Sequence, residues 1–346
     1  MNIVLKIKKF LHYLNQKNKM SVLSNSVPLY AAPLNTFSTA IFRHVLLQRG
    51  ADFVFSELLV ISTLHYDENF FKQKMACFKQ DLPKTIFQIG AKDPSEIKTG
   101  VCLLKKLHPK IVEINLNAGC PQSRLQQAGV CGGLLHDMLA FTTVCKELVH
   151  QCAQAHCIPS VKLRTGLDEN TIQIKQYLRI VFDCGIKKVY IHARPLRYNY
   201  TKPAQYGVFE NLAKEFSQLE LIFNGDVDSY ERYSLLASMG ARGVMVGRAH
   251  LSNPLIFEHI KEHKKSLSRY DPLLNDIGLV LREGKTYLSQ TKKEFIVDFL
   301  KYSAQQSANL STTRRLVLQF VKGVYDSKKV AQKIALASGV IFKYKK

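Results

Sequence analysis

The segment that decides the reading of this chain is Ile111-Val112-Glu113-Ile114-Asn115-Leu116-Asn117-Ala118-Gly119-Cys120-Pro121. Its first half alternates apolar and polar side chains, which is typical of a β-strand. Gly119 and Pro121 then bracket Cys120 and prevent the strand from continuing. The sequence therefore predicts a strand that ends in a sharp turn and presents a thiol. Because a single cysteine is more often a buried structural residue, the role of Cys120 depends on its surroundings.

Eight short β-rich runs alternate with segments of helical period between residues 27 and 265. This alternation predicts a parallel α/β fold. Eight such units favour a TIM (β/α)8 barrel over a doubly wound sheet, and no Gly-x-Gly-x-x-Gly fingerprint follows an early strand. The predicted strands are residues 28–32, 53–56, 85–89, 112–116, 160–163, 188–192, 221–224 and 243–246.

Two further parts flank the predicted barrel of residues 27–265. Residues 266–346 are expected to form a smaller, all-helical C-terminal domain, because their pattern lacks strand signals. Its predicted helices lie near residues 275–289, 294–308, 313–325 and 327–338. Residues 1–26 form a basic N-terminal extension with an amphipathic pattern. An RNA-contacting helix and a mere upstream extension both fit that segment, whereas a transit peptide is disfavoured because arginine is absent from residues 1–20.

The composition is that of a globular protein. Hydrophobic residues make up 46% and charged residues 22% of the chain, which excludes a disordered protein. No apolar run approaches the roughly 18 residues that a membrane span requires, so no membrane partner is expected. The cysteines show neither CxxC pairs nor zinc-ligand spacing, which predicts reduced thiols, a cytoplasmic protein and no metal. They stand at positions 77, 102, 120, 131, 145, 152, 157 and 184.

The formal net charge of +22 favours a polyanionic partner such as nucleic acid. The excess is concentrated at the two ends of the chain. Residues 1–20 carry five lysines and no acidic residue, and residues 301–346 carry ten Lys or Arg against Asp326 alone. A solvated surface that keeps the protein in solution is the alternative explanation, so charge alone leaves RNA binding open.

Polar or glycine residues end nearly every predicted strand. In a TIM barrel these ends meet at one face, which carries the active site. Taken alone, Lys162 would be read as an ion-pair partner and His192 as a core histidine, but the shared register along the strands favours one common site. The strand-end groups are Ala32-Pro33-Leu34-Asn35, Ser56-Glu57, Gln88-Ile89-Gly90, Asn117 to Pro121, Lys162-Leu163-Arg164-Thr165-Gly166, His192-Ala193-Arg194, Asn224-Gly225-Asp226 and Gly247-Arg248.

Two of these groups suit a phosphorylated ligand. Asn224-Gly225-Asp226 and Gly247-Arg248 supply glycine amides and a guanidinium at the ends of strands seven and eight, where this barrel often binds phosphate. Lys162 and Gln88 would reach the polar edge of a flavin ring, and a lysine there would stabilise the anionic reduced flavin. The sequence therefore predicts a phosphorylated cofactor, and if that cofactor is a flavin, Cys120 would face the substrate.

These motifs resemble those of the dihydrouridine synthases, flavin enzymes that reduce uridine in RNA. The resemblance covers residues 27–260 and depends most on Asn117-x-Gly119-Cys120-Pro121, Lys162-x-Arg164-x-Gly166 and His192-x-Arg194. Further matching residues are Ala32-Pro33-Leu34, Phe42-Arg43, Ser56-Glu57, Gln88-Ile89-Gly90, Gly129, Gly132 to Leu135, Asn224-Gly225-Asp226, Val244 to Arg248 and Asn253-Pro254.

The resemblance implies a mechanism. NADPH or NADH would reduce FMN, the flavin would pass a hydride to carbon 6 of a flipped-out uracil, and Cys120 would donate a proton to carbon 5. The implied cofactor contacts are Ala32, Pro33, Leu34, Gln88, Lys162, His192, Asn224, Gly225, Asp226, Gly247 and Arg248. The implied substrate contacts are Asn117, Arg194, Arg197, Arg314 and Arg315.

The resemblance also implies the partner. The substrate would be tRNA, with rRNA as an alternative, the C-terminal helices would grip the RNA, and the protein would be a monomer. Two other readings stay open: a dihydroorotate dehydrogenase-like flavin barrel that acts on a free pyrimidine, and a non-catalytic RNA-binding barrel. The modified uridine position is not implied.

The chain departs from the pattern at named positions. Leu34 and Asn35 stand where the family usually has Met and Ala, and Leu for Met conserves volume. Cys131 stands where glycine is expected, in a loop that would order over the substrate, so the mobility and the target of that loop are expected to differ. Arg314 and Arg315 occupy roughly the place of a basic cluster that the family often has there.

Overall fold

Eight parallel strands close into a barrel in the computed structural model, which describes residues 26–64, 68–198, 200–262, 279–282, 285–288, 290–305, 310–321 and 327–331. Each strand pairs with the next one along the chain, and β1 pairs with β8, which confirms the predicted TIM barrel. The barrel strands are β1 (Leu29–Ala31), β2 (Phe53–Val60), β3 (Thr85–Gly90), β4 (Glu113–Ala118), β5 (Ile158–Arg164), β6 (Lys188–His192), β7 (Glu220–Asn224) and β8 (Gly243–Val246). The amphipathic segment within residues 1–20 lies outside the described residues.

Helices cover the outside of the barrel. Asp93 shows how one of them begins: its carboxylate accepts the backbone N–H of Glu96 at 3.0 Å, and Pro94 occupies the first turn, where no N–H partner is needed. The helices are α1 (Ala40–Gln48), α2 (Glu68–Lys74), α3 (Pro94–Leu107), α4 (Ser123–Gln127), α5 (Met138–Gln154), α6 (Ile174–Asp183), α7 (Leu212–Glu215), α8 (Tyr230–Ser238), α9 (Ala249–Ser252) and α10 (Ile256–Lys261). Short 3-10 turns lie at Ile61–Thr63, Lys79–Lys84, Cys131–His136 and Tyr206–Phe209.

Strand β2 is longer than predicted. The sequence ends it at Ser56, whereas the strand continues to Val60 with a shift of register between Phe55 and Leu58. Such a bulge re-aims the side chains beside it. Here it turns the buried Glu57 toward the loop that follows β1, where Glu57 accepts the backbone N–H of Thr36 at 2.6 Å. Glu57 therefore supports the edge of the barrel mouth.

The C-terminal segment differs from the prediction in one element. The helices α11 (Gln290–Gln305) and α12 (Leu310–Phe320) confirm its helical character. The helix predicted near residues 275–289 is wrong, because β9 (Leu279–Arg282) and β10 (Lys285–Leu288) pair antiparallel there. Arg282 pairs with Lys285, which leaves only Glu283-Gly284 between the strands, and a two-residue connection with glycine is a hairpin signal.

The helices of this segment share a hydrophobic core with the barrel. Phe299 of α11 and Phe320 of α12 contact Phe42 of α1, with ring centroids 6.4 and 5.7 Å from that of Phe42. All three side chains are fully buried. Tyr302 also stacks on His44 of α1, with 5.0 Å between the ring centroids. The described part of the C-terminal segment is thus anchored on the barrel helix that follows β1.

Within the described residues, no helix has both the length and the apolar character needed to cross a membrane.

We expect Phe299→Ala to lower the free energy of unfolding by about 3–5 kcal/mol, because it removes a fully buried ring from the contact between α11 and α1. Urea unfolding followed by circular dichroism measures this change. The matched control is the neighbouring Asp298→Ala, whose side chain is 65% exposed and should change stability by about 0.5 kcal/mol or less. Equal stability of the two variants would contradict the shared core.

Candidate active site

A cavity of about 620 Å³ opens at the carboxyl ends of the barrel strands. Residues of β1, β4, β5, β6, β7 and β8, or of the loops directly after them, form its wall. The structure thus brings together most of the site residues predicted from the sequence. The predicted residues in the wall are Ala32, Pro33, Leu34, Asn117, Cys120, Lys162, His192, Arg194, Asn224, Gly225, Asp226, Gly247 and Arg248.

Four predicted site residues lie outside this wall. Gln88 is fully buried on β3, where its side chain bonds Asn115 and Asn117. The side chain of Arg197 is 72% exposed and pairs with Asp168 at 3.1 Å. Arg314 and Arg315 lie on α12 and do not line the cavity.

The turn after β4 presents Cys120 to the cavity. The Oδ1 atom of Asn117 accepts the backbone N–H groups of Gly119 and Cys120, each at 3.0 Å. Gly119 lies against β5, where a Cβ atom would come within 3.1 Å of the carbonyl carbon of Leu163. A larger residue would therefore push the turn away from the strand. Cys120 is half-buried, as the sequence pattern predicted for a presented thiol.

The environment of Cys120 keeps its thiol protonated at neutral pH. Burial raises the pKa of Cys120 above its ordinary value, and this effect outweighs the opposing influence of a backbone hydrogen bond from Gln122 and of the Arg164 and Lys162 charges. The thiol therefore holds a proton at the cavity wall.

Asp226 holds two arginines at the mouth of the cavity. Its carboxylate accepts a hydrogen bond from Arg194 at 2.6 Å and another from Arg248 at 2.8 Å. Burial alone would raise the pKa of Asp226, but the hydrogen bond from Arg194 and both positive charges bring it below its usual range. A carboxylate would repel a phosphate, so Asp226 orients Arg248 rather than contacting an anion itself.

Backbone geometry explains the glycine that precedes Asp226. Gly225 has φ +138°, and a Cβ atom there would come within 2.8 Å of the Ala204 side chain. Asp226 itself is left-handed, with φ 48°. This tight turn after β7 directs the carboxylate of Asp226 toward both arginines and also lets it accept the backbone N–H of Ala204 at 2.9 Å.

Lys162 and His192 lie deeper in the cavity. The Nζ atom of Lys162 is 3.4 Å from Oδ1 of Asn224. Burial, and then the charge of Arg164, lowers the pKa of Lys162 to about 7. Burial and the surrounding cations hold the pKa of His192 well below its ordinary value, so its imidazole is neutral at physiological pH. An anionic ligand would raise the pKa of Lys162 and favour its charged form.

Arg164 and Tyr200 are two of the wall residues that were not among the predicted site residues. Arg164 is fully buried and donates to three backbone carbonyls, those of Gly119, Pro195 and Tyr198. Arg164 belongs to the Lys162-x-Arg164-x-Gly166 motif and lies two residues after Lys162 on β5, and this spacing was the signal for its role, since alternate strand residues share a face.

Tyr200 is the other residue, and it lies on the loop after β6. Its ring is 4.1 Å from the guanidinium carbon of Arg248 and 5.7 Å from those of Arg164 and Arg194. Tyr200 lies well beyond the polar group that ends β6, so nothing in the local sequence indicated it.

The residues present fit a phosphorylated flavin. A Cβ atom added at Gly247 would point into open space, with Nδ2 of Asn224 its nearest neighbour at 3.9 Å. Any larger residue there would occupy the cavity beside the Arg248 guanidinium. Open space beside the Gly247 backbone, next to the positive charge of Arg248, is typical of a phosphate-binding site in this barrel. Among the described residues, no cluster of three or more His, Cys, Asp or Glu side chains is placed to hold a metal ion.

A family model described as dihydrouridine synthase matches residues 30–333. The chain belongs to the dihydrouridine synthase family. Its members include a probable tRNA-dihydrouridine synthase of Aquifex aeolicus, 26% identical over 86% of this chain and 88% of that protein. The tRNA-dihydrouridine synthase B of Vibrio parahaemolyticus is 27% identical over 71% of this chain and 74% of its own length. A human tRNA-dihydrouridine(47) synthase NAD(P)(+)-like protein is 28% identical over 79% of this chain, which spans only 42% of that protein.

The family resemblance leads us to expect glycine at position 131, and the backbone of Cys131 has a conformation that suits glycine. Cys131 is left-handed, with φ 56°, a conformation that glycine adopts at least cost. Its side chain is fully buried, and a Cβ atom at Gly90 would come within 2.8 Å of its sulfur. The Cys131 thiol thus fills a space beside β3 that a glycine at this position would leave open.

We expect Arg248→Ala to weaken FMN binding by about tenfold or more, because it removes the fixed guanidinium at the phosphate-binding site. Fluorescence titration of the apoprotein with FMN measures the affinity. The control is Arg197→Ala, which removes an equal charge from an exposed position outside the cavity. A matching loss in both variants would mean that net charge, and not the Asp226-held arginine, governs flavin affinity.

Proposed function

We propose that this protein reduces uridine to 5,6-dihydrouridine in tRNA, with FMN as its cofactor and NADPH or NADH as the reductant. The observation that carries the proposal is the protonated thiol of Cys120 in the wall of a cationic cavity that suits a flavin phosphate. The names of the relatives in two bacteria and in humans support tRNA as the substrate.

The cofactor contacts divide into two groups. Arg248 and the backbone at Gly247 and Gly225 would hold the phosphate, with Asp226 orienting the arginine. Lys162 and Asn224 would lie along the ring. When bound, FMN supplies the hydride that saturation of the uracil ring requires.

Cys120 would supply the proton that completes the reduction. Reduction of the 5,6 double bond needs one hydride and one proton, and Sγ of Cys120 holds a proton at neutral pH. Asn117 fixes the direction of the thiol, because its side chain ties down the Gly119 and Cys120 amides. After the transfer, the thiolate would lie near the positive charges of Arg164 and Lys162, which favour that charged form.

The substrate base must leave its stack to reach the thiol. Base extrusion costs a few kcal/mol, which contacts along the RNA backbone offset. We assign those contacts to the cationic mouth and to residues 266–346, including the exposed Arg315. Further parts of this proposal are rRNA as an alternative target, a monomeric state, the absence of a metal and a cytoplasmic location.

The direct test is mass spectrometry of unmodified tRNA incubated with purified protein and NADPH. A gain of about two mass units on uridine is expected, because reduction adds two hydrogens. Bound flavin without that gain would redirect the search to rRNA or to a free pyrimidine. A colourless protein that binds tRNA would instead favour a non-catalytic RNA-binding barrel.

We expect Cys120→Ala to retain FMN and tRNA affinity while dihydrouridine formation falls by about 100-fold or more, the usual scale for loss of a general acid. Quantification of dihydrouridine after a fixed time measures the effect. Normal turnover by this variant would contradict the acid role of Cys120.

The pH profile provides an independent check. An acid must be protonated to act, and burial raises the pKa of Cys120. The rate of uridine reduction by pre-reduced enzyme should therefore persist through neutral pH and decline only above pH of about 8.5, the ordinary thiol range. The alkaline decline should disappear from the residual rate of Cys120→Ala. A decline centred below pH 7 would point to another group.

A further inference from the structure

Strand β4 directs three polar side chains into the barrel interior. Glu113, Asn115 and Asn117 alternate along the strand, and each is buried. The interior of a TIM barrel is ordinarily filled by branched apolar residues. Buried polar groups require hydrogen-bond partners, and here those partners form a continuous chain.

The upper part of this chain begins at the turn that presents Cys120. The backbone N–H of Cys120 donates to Oδ1 of Asn117 at 3.0 Å. The Nδ2 atom of Asn117 donates to Oε1 of Gln88 at 2.9 Å. The Nε2 atom of Gln88 then donates to Oδ1 of Asn115 at 2.8 Å.

The lower part ends on a carboxylate at the opposite end of the barrel. The Nδ2 atom of Asn115 donates to Oγ of Ser160 at 2.8 Å, and that hydroxyl donates to Oε1 of Glu113 at 2.7 Å. Glu113 also accepts from the Tyr190 hydroxyl at 2.8 Å and from Nζ of Lys188 at 3.1 Å. We call the five side chains from Asn117 to Glu113 the relay; they are Asn117, Gln88, Asn115, Ser160 and Glu113.

Every bond of the relay donates toward Glu113. A carboxylate is only an acceptor, so the Ser160 hydroxyl must direct its proton toward it. The amides of Asn115 and Gln88 must then each turn their oxygen toward the cavity and their nitrogen toward Glu113. The Asn117 amide has the same orientation, and its oxygen accepts two backbone N–H groups of the turn. A reversed Asn117 amide would set its own N–H groups against those donors, and the turn would lose both bonds.

We propose that Glu113 is a positioning residue for Cys120, which it orients through the relay from the closed end of the barrel. This proposal rests on the proposed function in one respect, namely that Cys120 is the group whose position matters for the reaction. Asn117 is the only member of the relay that lines the cavity. The other four can therefore influence the thiol only through the hydrogen bonds that connect them to Asn117.

A purely structural role is the competing explanation, since Glu113 also neutralises the buried Lys188. A structural role predicts a loss of stability alone. Positioning predicts a change at Cys120 itself in variants that remain folded. The two explanations therefore differ in the reactivity of one thiol.

The test uses two relay variants of the full-length protein, Ser160→Ala and Glu113→Gln. Ser160→Ala removes the link between Asn115 and Glu113 and leaves the Glu113–Lys188 pair in place. The rate of Cys120 alkylation by iodoacetamide is followed by peptide mass spectrometry as a function of pH. Dihydrouridine formation and KM for tRNA are measured in parallel.

Two control variants accompany them. Ser160→Thr keeps the hydroxyl and should restore wild-type behaviour. Tyr30→Phe removes a buried hydroxyl from the same barrel interior, one that contacts Glu220 at 3.5 Å, also interacts with Lys188 and bonds no member of the relay.

In the folded relay variants, we expect Cys120 to be alkylated about threefold faster or more, because a released turn exposes the thiol and lowers its pKa toward the ordinary value. We expect turnover to fall by about tenfold, while KM for tRNA stays within about twofold of wild type. Both control variants should stay within about twofold of wild type in every readout.

Wild-type alkylation and turnover in folded Ser160→Ala would overturn the proposal, and so would equal changes in Tyr30→Phe. If Glu113→Gln does not fold, Ser160→Ala decides alone. Because alkylation does not depend on the reaction catalysed, a change in alkylation in a protein that makes no dihydrouridine would support the relay and refute the proposed function.

Discussion

Closure of the barrel through the hydrogen bonds between β1 and β8 is the constraint on which the site depends. Once eight parallel strands form a closed ring, alternate side chains point into an interior that excludes water. An apolar cluster around Tyr30, Phe55 and Met245 fills part of that interior. The polar residues of β4 occupy the remaining part of the interior. They need hydrogen-bond partners on neighbouring strands, since an unpaired buried polar group lowers stability by about 1–3 kcal/mol. The same ring gathers the strand ends into one mouth, so side chains far apart in sequence share a cavity.

The charges at that mouth are positioned before any ligand arrives. Arg164 is held by three carbonyls, and Arg194 and Arg248 are held by Asp226. Fixed donors stabilise an anion better than mobile ones, because little ordering is required when the anion binds. Lys162 differs from the arginines because its pKa is lowered to about 7. An anionic ligand would raise this pKa and so favour the charged form of the amine. The cavity therefore combines guanidiniums that are already held in place with the Lys162 amine, whose charge depends on the ligand.

The C-terminal helices are joined to this mouth by packing and by a polar contact. Their phenylalanines enter the core beside α1, and Nζ of the buried Lys292 on α11 donates to the carbonyl of Ser252, a residue of the cavity wall. These contacts attach the C-terminal helices directly to the barrel. Under the proposed function, RNA-backbone contacts on this segment would set which base reaches the thiol, because such contacts define the register of the strand.

The sequence by itself determined the barrel, the bounds of β6 and β8, and most of the cavity wall, because strand alternation and strand-end polarity are local signals that eight repeats reinforce. It failed at β9 and β10, where short apolar runs suit a helix as well as a hairpin. Only the tertiary structure decided that Gln88 lies beneath the cavity, that Asp226 binds arginines, and that Tyr200 covers Arg248. Each of these depends on which strands become neighbours and on how a loop folds back over them. Pairings between residues tens of positions apart leave no mark in the sequence around either one.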